Sequence, residues 1–282
     1  MPSLYEILKT ATTALKKVAV SSPDLDARLL LEDVLQKDKS FVLLHPHYVL
    51  TDSEENLYES YVKRRLQREP VSKILGIKEF WSLPFKTTKD TLDPRPDSET
   101  LIEAVLEQFS DTSKPYKLLD LGTGTGCLLL ALLSEYKKAT GVGVDFSSKA
   151  LTVATHNAIS LNMETRAKFL QSNWCEHLNG QFDIIISNPP YIPPSHEKTI
   201  EPELSFDPKE ALYGDSCDGL EAYRLLSLQL KKHLRPQGKI FFEFGKDQHA
   251  DVEKIMTAAN FSPKKYYKDL NQISRCGVFH DL

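Results

Sequence analysis

The sequence predicts an α/β protein in which a small all-helical region precedes a mostly parallel sheet covered by helices on both faces. Three observations predict it. The first 75 residues carry apolar residues at helical spacing and no strand pattern. Residues 76–96 are punctuated by Gly76, Pro84, Pro94 and Pro96 between short β-favouring runs. From residue 97 onward, strand-like and helix-like stretches alternate. At roughly 150 residues per domain, 282 residues make about two domains. The expected division is a helical domain over 1–75, a linker with a small hairpin over 76–96, and a catalytic domain over 97–282.

In the first region, Leu4, Ile7, Leu8, Ala11, Leu15 and Val18 recur at three- and four-residue steps and define one buried helix face. Pro23 opens a second helix with Ser22 as its expected N-cap and Leu25, Leu29, Leu30, Val34 and Leu35 on its buried side. A third starts near Thr51-Asp52-Ser53 and runs through Leu57, Tyr61, Val62 and Leu66. Eleven basic and eleven acidic side chains leave residues 1–75 without net charge. The cluster Lys63, Arg64, Arg65 and Arg68 at a helix end is read as a solvated face, with docking of a partner protein as the alternative. In the linker, Glu79-Phe80-Trp81 and Leu83-Pro84-Phe85 supply the two arms of the hairpin. Beyond it the strand candidates are 116–121, 141–146, 167–170, 182–187 and 239–244. Between them lie the apolar helix from Cys127, a helix capped by Ser147-Ser148, and a helix beginning at Asp218 with Leu220, Tyr223, Leu226 and Leu230. In such a sheet, ligands bind beyond the C-terminal ends of the strands.

Composition narrows the function classes. With 41% hydrophobic and 26% charged residues the chain is an ordinary folded protein, and its formal charge of -4 disfavours a broad grip on nucleic acid. No run of about 18 apolar residues is present, so no membrane span is expected. The opening residues lack the order of a secretory or transit signal. Cys127, Cys175, Cys217 and Cys276 lie far apart, with neither a Cys-x-x-Cys pair nor a His at ligand spacing. No metal site and no disulfide framework are therefore expected, and a reducing cytoplasm is the expected compartment.

Two motifs carry chemistry. In Leu118-Leu119-Asp120-Leu121-Gly122-Thr123-Gly124-Thr125-Gly126 an apolar strand ends in three alternate glycines, where the backbone can turn sharply and approach a ligand with no Cβ in the way. Nineteen residues past Gly126, Asp145 ends the next strand and can accept both hydroxyls of a ribose. Together they specify a cofactor that carries a nucleoside, a dinucleotide or S-adenosylmethionine. The spacing G-x-G-x-G differs from the dinucleotide pattern G-x-G-x-x-G and favours the methyl donor.

The second motif is Phe182-Asp183-Ile184-Ile185-Ile186-Ser187-Asn188-Pro189-Pro190-Tyr191, a buried strand that runs into Asn-Pro-Pro-Tyr. The prolines fix φ and remove backbone donors, which leaves a stiff loop of carbonyl acceptors. Asn188 adds a side-chain carbonyl and Tyr191 a flat aromatic face. This suits a planar –NH2 group, whose two hydrogens need two acceptors.

The Asn-Pro-Pro-Tyr segment with the Gly-rich turn resembles class I methyltransferases that modify planar amino groups. Further segments are similar to the release-factor glutamine N5-methyltransferases, the HemK/PrmC family. They are Arg68-Glu69-Pro70-Val71 with Ile74-Leu75-Gly76, Leu92-Asp93-Pro94-Arg95-Pro96-Asp97-Ser98-Glu99, Phe206-Asp207-Pro208 with Ala211-Leu212, Asp218-Gly219-Leu220, and Asp269-Leu270 with Arg275. The resemblance covers essentially the whole chain, and it departs from the family's usual residues at Asp93, Ser98, Asn173 and Asp207.

The resemblance implies a Rossmann-like class I methyltransferase domain with a seven-stranded, mostly parallel sheet. It also implies S-adenosylmethionine as cofactor and class 1 peptide chain release factors as protein substrate. Cofactor contacts are then expected from Gly122, Thr123, Gly124, Thr125, Gly126, Asp145, Asn173, Trp174 and Asn188. Asn188, Pro189, Pro190 and Tyr191 would bind the substrate amide, with Asn188, Pro189 and Tyr191 catalytic. Asn188 Oδ1 and the Pro189 carbonyl take the two N–H hydrogens and aim the nitrogen at the donor methyl, while Tyr191 holds the amide plane. A monomer is expected, without stable nucleic-acid binding. The competing readings are a ribosomal-protein glutamine methyltransferase, an N6-adenine DNA methyltransferase, and a cofactor-binding assembly factor without turnover. Residues 191–217 are too short to hold a target-recognition domain for DNA.

Overall fold

Two of the N-terminal helices begin where the sequence supplies a capping box. Ser3 and Glu6 start α1 (Leu4–Lys17), and Thr51 and Glu54 start α4 (Asp52–Leu66). Between them come α2 (Pro23–Leu35) and α3 (Lys39–Leu44), and α5 (Val71–Leu75) follows. Ser22 stands at the N-cap of α2, but its side chain makes no capping bond. Pro23 at the first helical position and Asp24 and Asp26 in the first turn start this helix instead. Leu4, Ala11, Leu15, Leu30, Leu31 and Tyr58 form the buried centre of the group.

The computed structural model describes residues 2–197 and 199–282, and the chain divides into two units. One runs up to Ile77 and takes in Glu201–Phe206; the other holds Lys78–Ile200 and Asp207–Leu282. Glu203 binds 201–206 into the helical unit. Its carboxylate accepts from Arg65 at 3.0 Å and from Arg68 at 2.7 Å, and Arg65 also donates to Asp26 at 2.7 Å. Arg64 pairs with Glu69 at 2.6 Å. Three cations of the basic cluster are thus spent inside the unit, and Arg65 is only 4% exposed. Arg65 is therefore no part of a solvated face, whereas Lys63 is exposed.

The expected hairpin, β1 (Ile77–Phe80) and β2 (Leu83–Lys86), follows at the start of the second unit with only Ile77 counted in the first, and it is turned by Trp81 and Ser82 at positive φ. Next come α6 (Glu99–Gln108), β3 (Lys117–Leu121), α7 (Cys127–Glu135), β4 (Thr140–Asp145), α8 (Ser148–Ser160), β5 (Ala167–Gln171) and β6 (Phe182–Ser187). The remaining elements are α9 (Glu221–Gln229), β7 (Leu234–Glu243), α10 (His249–Ala258), β8 (Phe261–Lys268) and β9 (Ser274–Asp281). The sheet has seven strands in the order β5-β4-β3-β6-β7-β9-β8, parallel from β5 through β7, with β9 and β8 antiparallel. The α/β class and the mostly parallel sheet of the sequence analysis are both present.

An apolar layer covers each face. Leu129, Leu132, Ile184, Ile186 and Phe241 lie in one; Ile185, Tyr223, Leu226, Phe242 and Met256 lie in the other. Strands buried on both sides carry near-continuous apolar runs, which is why 182–187 was legible. Two boundaries moved. β7 begins at Leu234, paired with Phe182 ahead of an irregularity, and α9 begins at Glu221 because Asp218 accepts the Leu220 N–H and stays outside the helix. Among the described residues no helix is long and apolar enough to cross a membrane.

Candidate active site

The chain runs outward from β3 through β5 to one side of the sheet, then returns to place β6 beside β3. That reversal is where a parallel sheet opens a crevice at its C-terminal edge. A cleft of about 910 Å³ lies there, lined by Gly122, Gly124, Asp145, Asn173, Trp174, Asn188 and Pro190 among others. These residues leave the ends of β3, β4, β5 and β6, so one sheet edge brings four sequence-distant segments together.

The glycine turn is built from φ values that L side chains rarely adopt, +75° at Gly122 and +54° at Gly124. The Gly122 and Thr123 N–H groups both donate to the Val144 carbonyl, at 2.8 and 2.9 Å, which ties the turn to β4. Gly124 faces open space, and its N–H donates to Asp145 Oδ2 at 2.9 Å. Asp145 Oδ1 accepts the Ser147 N–H at 2.9 Å. Each carboxylate oxygen therefore has one backbone donor and a lone pair to spare. Burial raises the Asp145 pKa, opposed chiefly by the N–H groups of Ser147 and Gly124.

Thr123, Thr125 and Gly126 lie beneath the cleft rather than along it. Thr123 Oγ1 donates to Asp120 Oδ2 at 2.6 Å, the Thr125 carbonyl accepts from Asn157, and Gly126 caps α7. Asp120 is fully buried, its Oδ1 has no hydrogen-bond partner, and burial pushes its pKa up to about 7 against the Thr123 bond. Trp174 sits at positive φ with its ring edge toward Gly122, and Asn173 donates its amide to Glu176 at 2.7 Å.

At the end of β6, Asn188 Nδ2 donates to Ser98 Oγ at 3.2 Å. Ser98 stands at the N-cap of α6 without making a capping bond. Neither Pro189 nor Tyr191 lines the cleft. The Tyr191 carbonyl accepts from Gln248 at 3.0 Å, and its ring packs beside Gly245. Burial, then the nearby Glu243 charge, raises the Tyr191 pKa and keeps the hydroxyl protonated. Gly219 makes room for this loop, since a Cβ there would meet the Tyr191 carbonyl oxygen at 2.3 Å.

The remaining motifs hold the loop that carries Ser98. Asp207, its side chain fully buried, accepts from Arg95 at 2.5 Å and from the Asp93 N–H at 3.2 Å. Arg275 reaches Asp97 at 3.1 Å and Asp269 at 2.9 Å. Sequence reasoning missed three contributors. Leu92 from the linker and Phe146, 74% exposed, line the cleft; Glu243 is buried at the end of β7. The signal for Glu243 was a single acid inside Ile240-Phe241-Phe242-Glu243-Phe244.

Residues 6–76 match the family "PrmC N-terminal domain" and residues 88–212 match "Methyltransferase small domain". A release factor glutamine methyltransferase of Rhodospirillum rubrum is 42% identical over 274 residues, 97% of this chain and 83% of that protein. One from Caulobacter vibrioides is 38% identical, over 97% of this chain and 94% of the relative. Among solved structures, a methyltransferase from Pyrococcus furiosus superposes with a TM-score of 0.52 at 15% identity, covering 78% of this chain and 98% of the other. That likeness is one of fold.

Proposed function

Since this chain belongs to the release factor glutamine methyltransferase family, we propose that it moves a methyl group from S-adenosylmethionine to the side-chain amide nitrogen of the glutamine in the Gly-Gly-Gln motif of class 1 peptide chain release factors. The observation that carries this reading is Asn188. Its NH2 is turned to Ser98, so its Oδ1 is the free end, at a sheet edge shared with the glycine-lined cleft.

The cleft fits the donor. Gly124 leaves open space above the turn, Asp145 keeps lone pairs for two ribose hydroxyls, and Trp174 offers an aromatic wall for adenine, with Asn173 next to it. When bound, S-adenosylmethionine supplies an electrophilic methyl on a sulfonium. The harder partner is the glutamine nitrogen, whose lone pair is delocalised into its carbonyl. Asn188 Oδ1 and the Pro189 carbonyl would accept its two hydrogens, aim the nitrogen at the methyl, and favour the more tetrahedral, positively charged form that develops. Holding that near-attack geometry draws on the roughly 7–11 kcal/mol available to orientation. Tyr191, kept neutral, and Pro190 would bound the amide plane. No strong base is needed, because the methylated nitrogen becomes acidic and releases its proton to water. The helical unit is assigned to recognition of the protein substrate, through faces other than the Arg65 and Arg68 cluster that Glu203 occupies.

The test is incubation of the protein with labelled donor and three acceptors: purified release factor, ribosomal proteins and DNA. Mass spectrometry should place one added CH2 on the glutamine of the Gly-Gly-Gln peptide. Label confined to a ribosomal protein or to DNA would sink the assignment.

A further inference from the structure

β6 and β7 run parallel with Ser187 beside Phe242, so the next residues, Asn188 just past β6 and Glu243 at the end of β7, follow side by side. Glu243 is 2% exposed, and its Oε2 is buried with no hydrogen-bond partner. The polar side chains on its carboxyl are the Ser98 hydroxyl and the Asn188 amide. Ser98 Oγ in turn accepts from Asn188 Nδ2 at 3.2 Å. These three residues come from three elements and meet beneath the proposed acceptor, and the methyl-transfer step described above does not use Glu243.

We propose that Glu243 is a positioning residue that, with Ser98, takes up the hydrogens of the Asn188 amide and so turns Oδ1 toward the glutamine to be methylated. The inference rests on the methyl-transfer reading and adds a residue to it. An asparagine amide has an acceptor end and a donor end of nearly equal size, so packing alone does not choose between them. With the NH2 end outward, Asn188 would meet the substrate NH2 donor to donor. A buried carboxylate is a strong acceptor and has nothing to donate, so it selects one orientation. Ser98 completes the selection by accepting from Asn188 while its own hydrogen goes to Glu243.

The charged form is the working form. Burial is the largest influence on Glu243 and pushes its pKa up to about 7, opposed by the Ser98 bond and by Arg275. Asp97 raises it further, and the Asn188 amide lowers it. Tyr191, Tyr223 and Cys276 also face it, each held protonated chiefly by burial. Protonation turns the carboxylate into a donor and removes the preference for Oδ1 outward. The folded state binds this proton more tightly than the unfolded chain, so the group's contribution to stability falls as pH rises from the ordinary carboxylate range through about 7.

The experiment compares full-length wild type, Glu243→Gln and Glu243→Asp, assayed with release factor and labelled donor across the range around neutrality. The wild type should show an acid limb in kcat centred near pH 7. Glu243→Gln should lose that limb and about 10- to 100-fold in kcat, with KM for both substrates within about twofold. Its Tm at alkaline pH should be no lower than that of wild type, because it removes a carboxylate buried at a cost. Glu243→Asp withdraws the acceptor by one methylene yet keeps the charge, so it should lose kcat and retain a limb; it carries the test if the Gln variant does not fold. Equal kcat and an unchanged limb in a folded variant overturn the inference alone, and so does a lowered Tm with kcat intact. No transfer by the wild type overturns the functional reading, and this inference with it.

Discussion

The helical unit and the sheet unit both bury charge, but they treat it differently. Arg65 is 4% exposed, and its guanidinium is matched by Asp26 and Glu203, with Arg68 completing Glu203. In the sheet unit, Asp120 and Glu243 are as deeply buried, and each keeps one oxygen without a hydrogen-bond partner. An unmatched buried polar atom costs stability, whereas a matched one holds its surroundings in place. The matched charges of Arg65, Arg68 and Glu203 hold architecture. The unmatched acids Asp120 and Glu243 stand at the ends of β3 and β7, and perturbed acids gather in working sites.

The comparison can be broken first in the helical unit, where the expected effect is largest. Arg65→Ala strands Asp26 without its partner and takes one of two cations from Glu203. It should cost about 3–5 kcal/mol of unfolding free energy, the range for breaking a buried pair. Urea unfolding of the whole chain measures this, while kcat below the transition should stay within a few-fold of wild type. A large fall in kcat with stability unchanged would mean that a satisfied charge does chemistry after all. Asn188→Ala is the counterpart in the sheet unit. It should leave the urea midpoint almost in place and cut turnover by at least about 100-fold, as for the loss of one preorganised polar contact. Initial rates with labelled donor settle it, and normal turnover would remove Asn188 from the mechanism.

The same contrast explains what was legible in the sequence. The β6 run and the helix start near Thr51-Asp52-Ser53 are local patterns, and local chemistry builds them. The glycine turn was equally visible, but the direction its threonine side chains take was not. Sequence shows that Thr123 and Thr125 are next to a cofactor turn, and only the αL φ values on either side turn Thr123 down onto Asp120. Partners distant in sequence stayed hidden. Glu203 lies 138 residues from Arg65, and no spacing rule joins them. Asp207 and Arg275 were recognisable as motifs, yet their shared task of clamping the Asp93–Asp97 stretch appears only once the chain is folded. The last two strands were missed because β8 mixes Pro263 and three lysines into its pattern. Glu243 was overlooked because an acid in an apolar strand looks like a strand end.

The finest test concerns Asp145, which lies between the two classes: each of its oxygens has a backbone donor, and it still lines the cleft. If its spare lone pairs serve the ribose, donor affinity depends on the ionised form. Burial has raised this carboxyl's pKa against the N–H groups that oppose it, so the proton is taken up at a higher pH than an ordinary aspartate would require. Donor affinity should accordingly be level in alkaline solution and weaken as pH falls through that raised value, because a protonated carboxyl offers one acceptor fewer and no charge. Asp145→Asn should cost about 1–3 kcal/mol of binding and flatten the profile. Calorimetric titration with S-adenosylhomocysteine measures both. The loss should be smaller than that of Asn188→Ala in turnover, since on the proposed reading binding would be shared among the turn, Trp174 and the cleft walls, while the aim of one nitrogen would not. An Asn variant that binds with wild-type strength and keeps the wild-type pH dependence would move Asp145 to the architectural side, as a brace between Gly124 and Ser147.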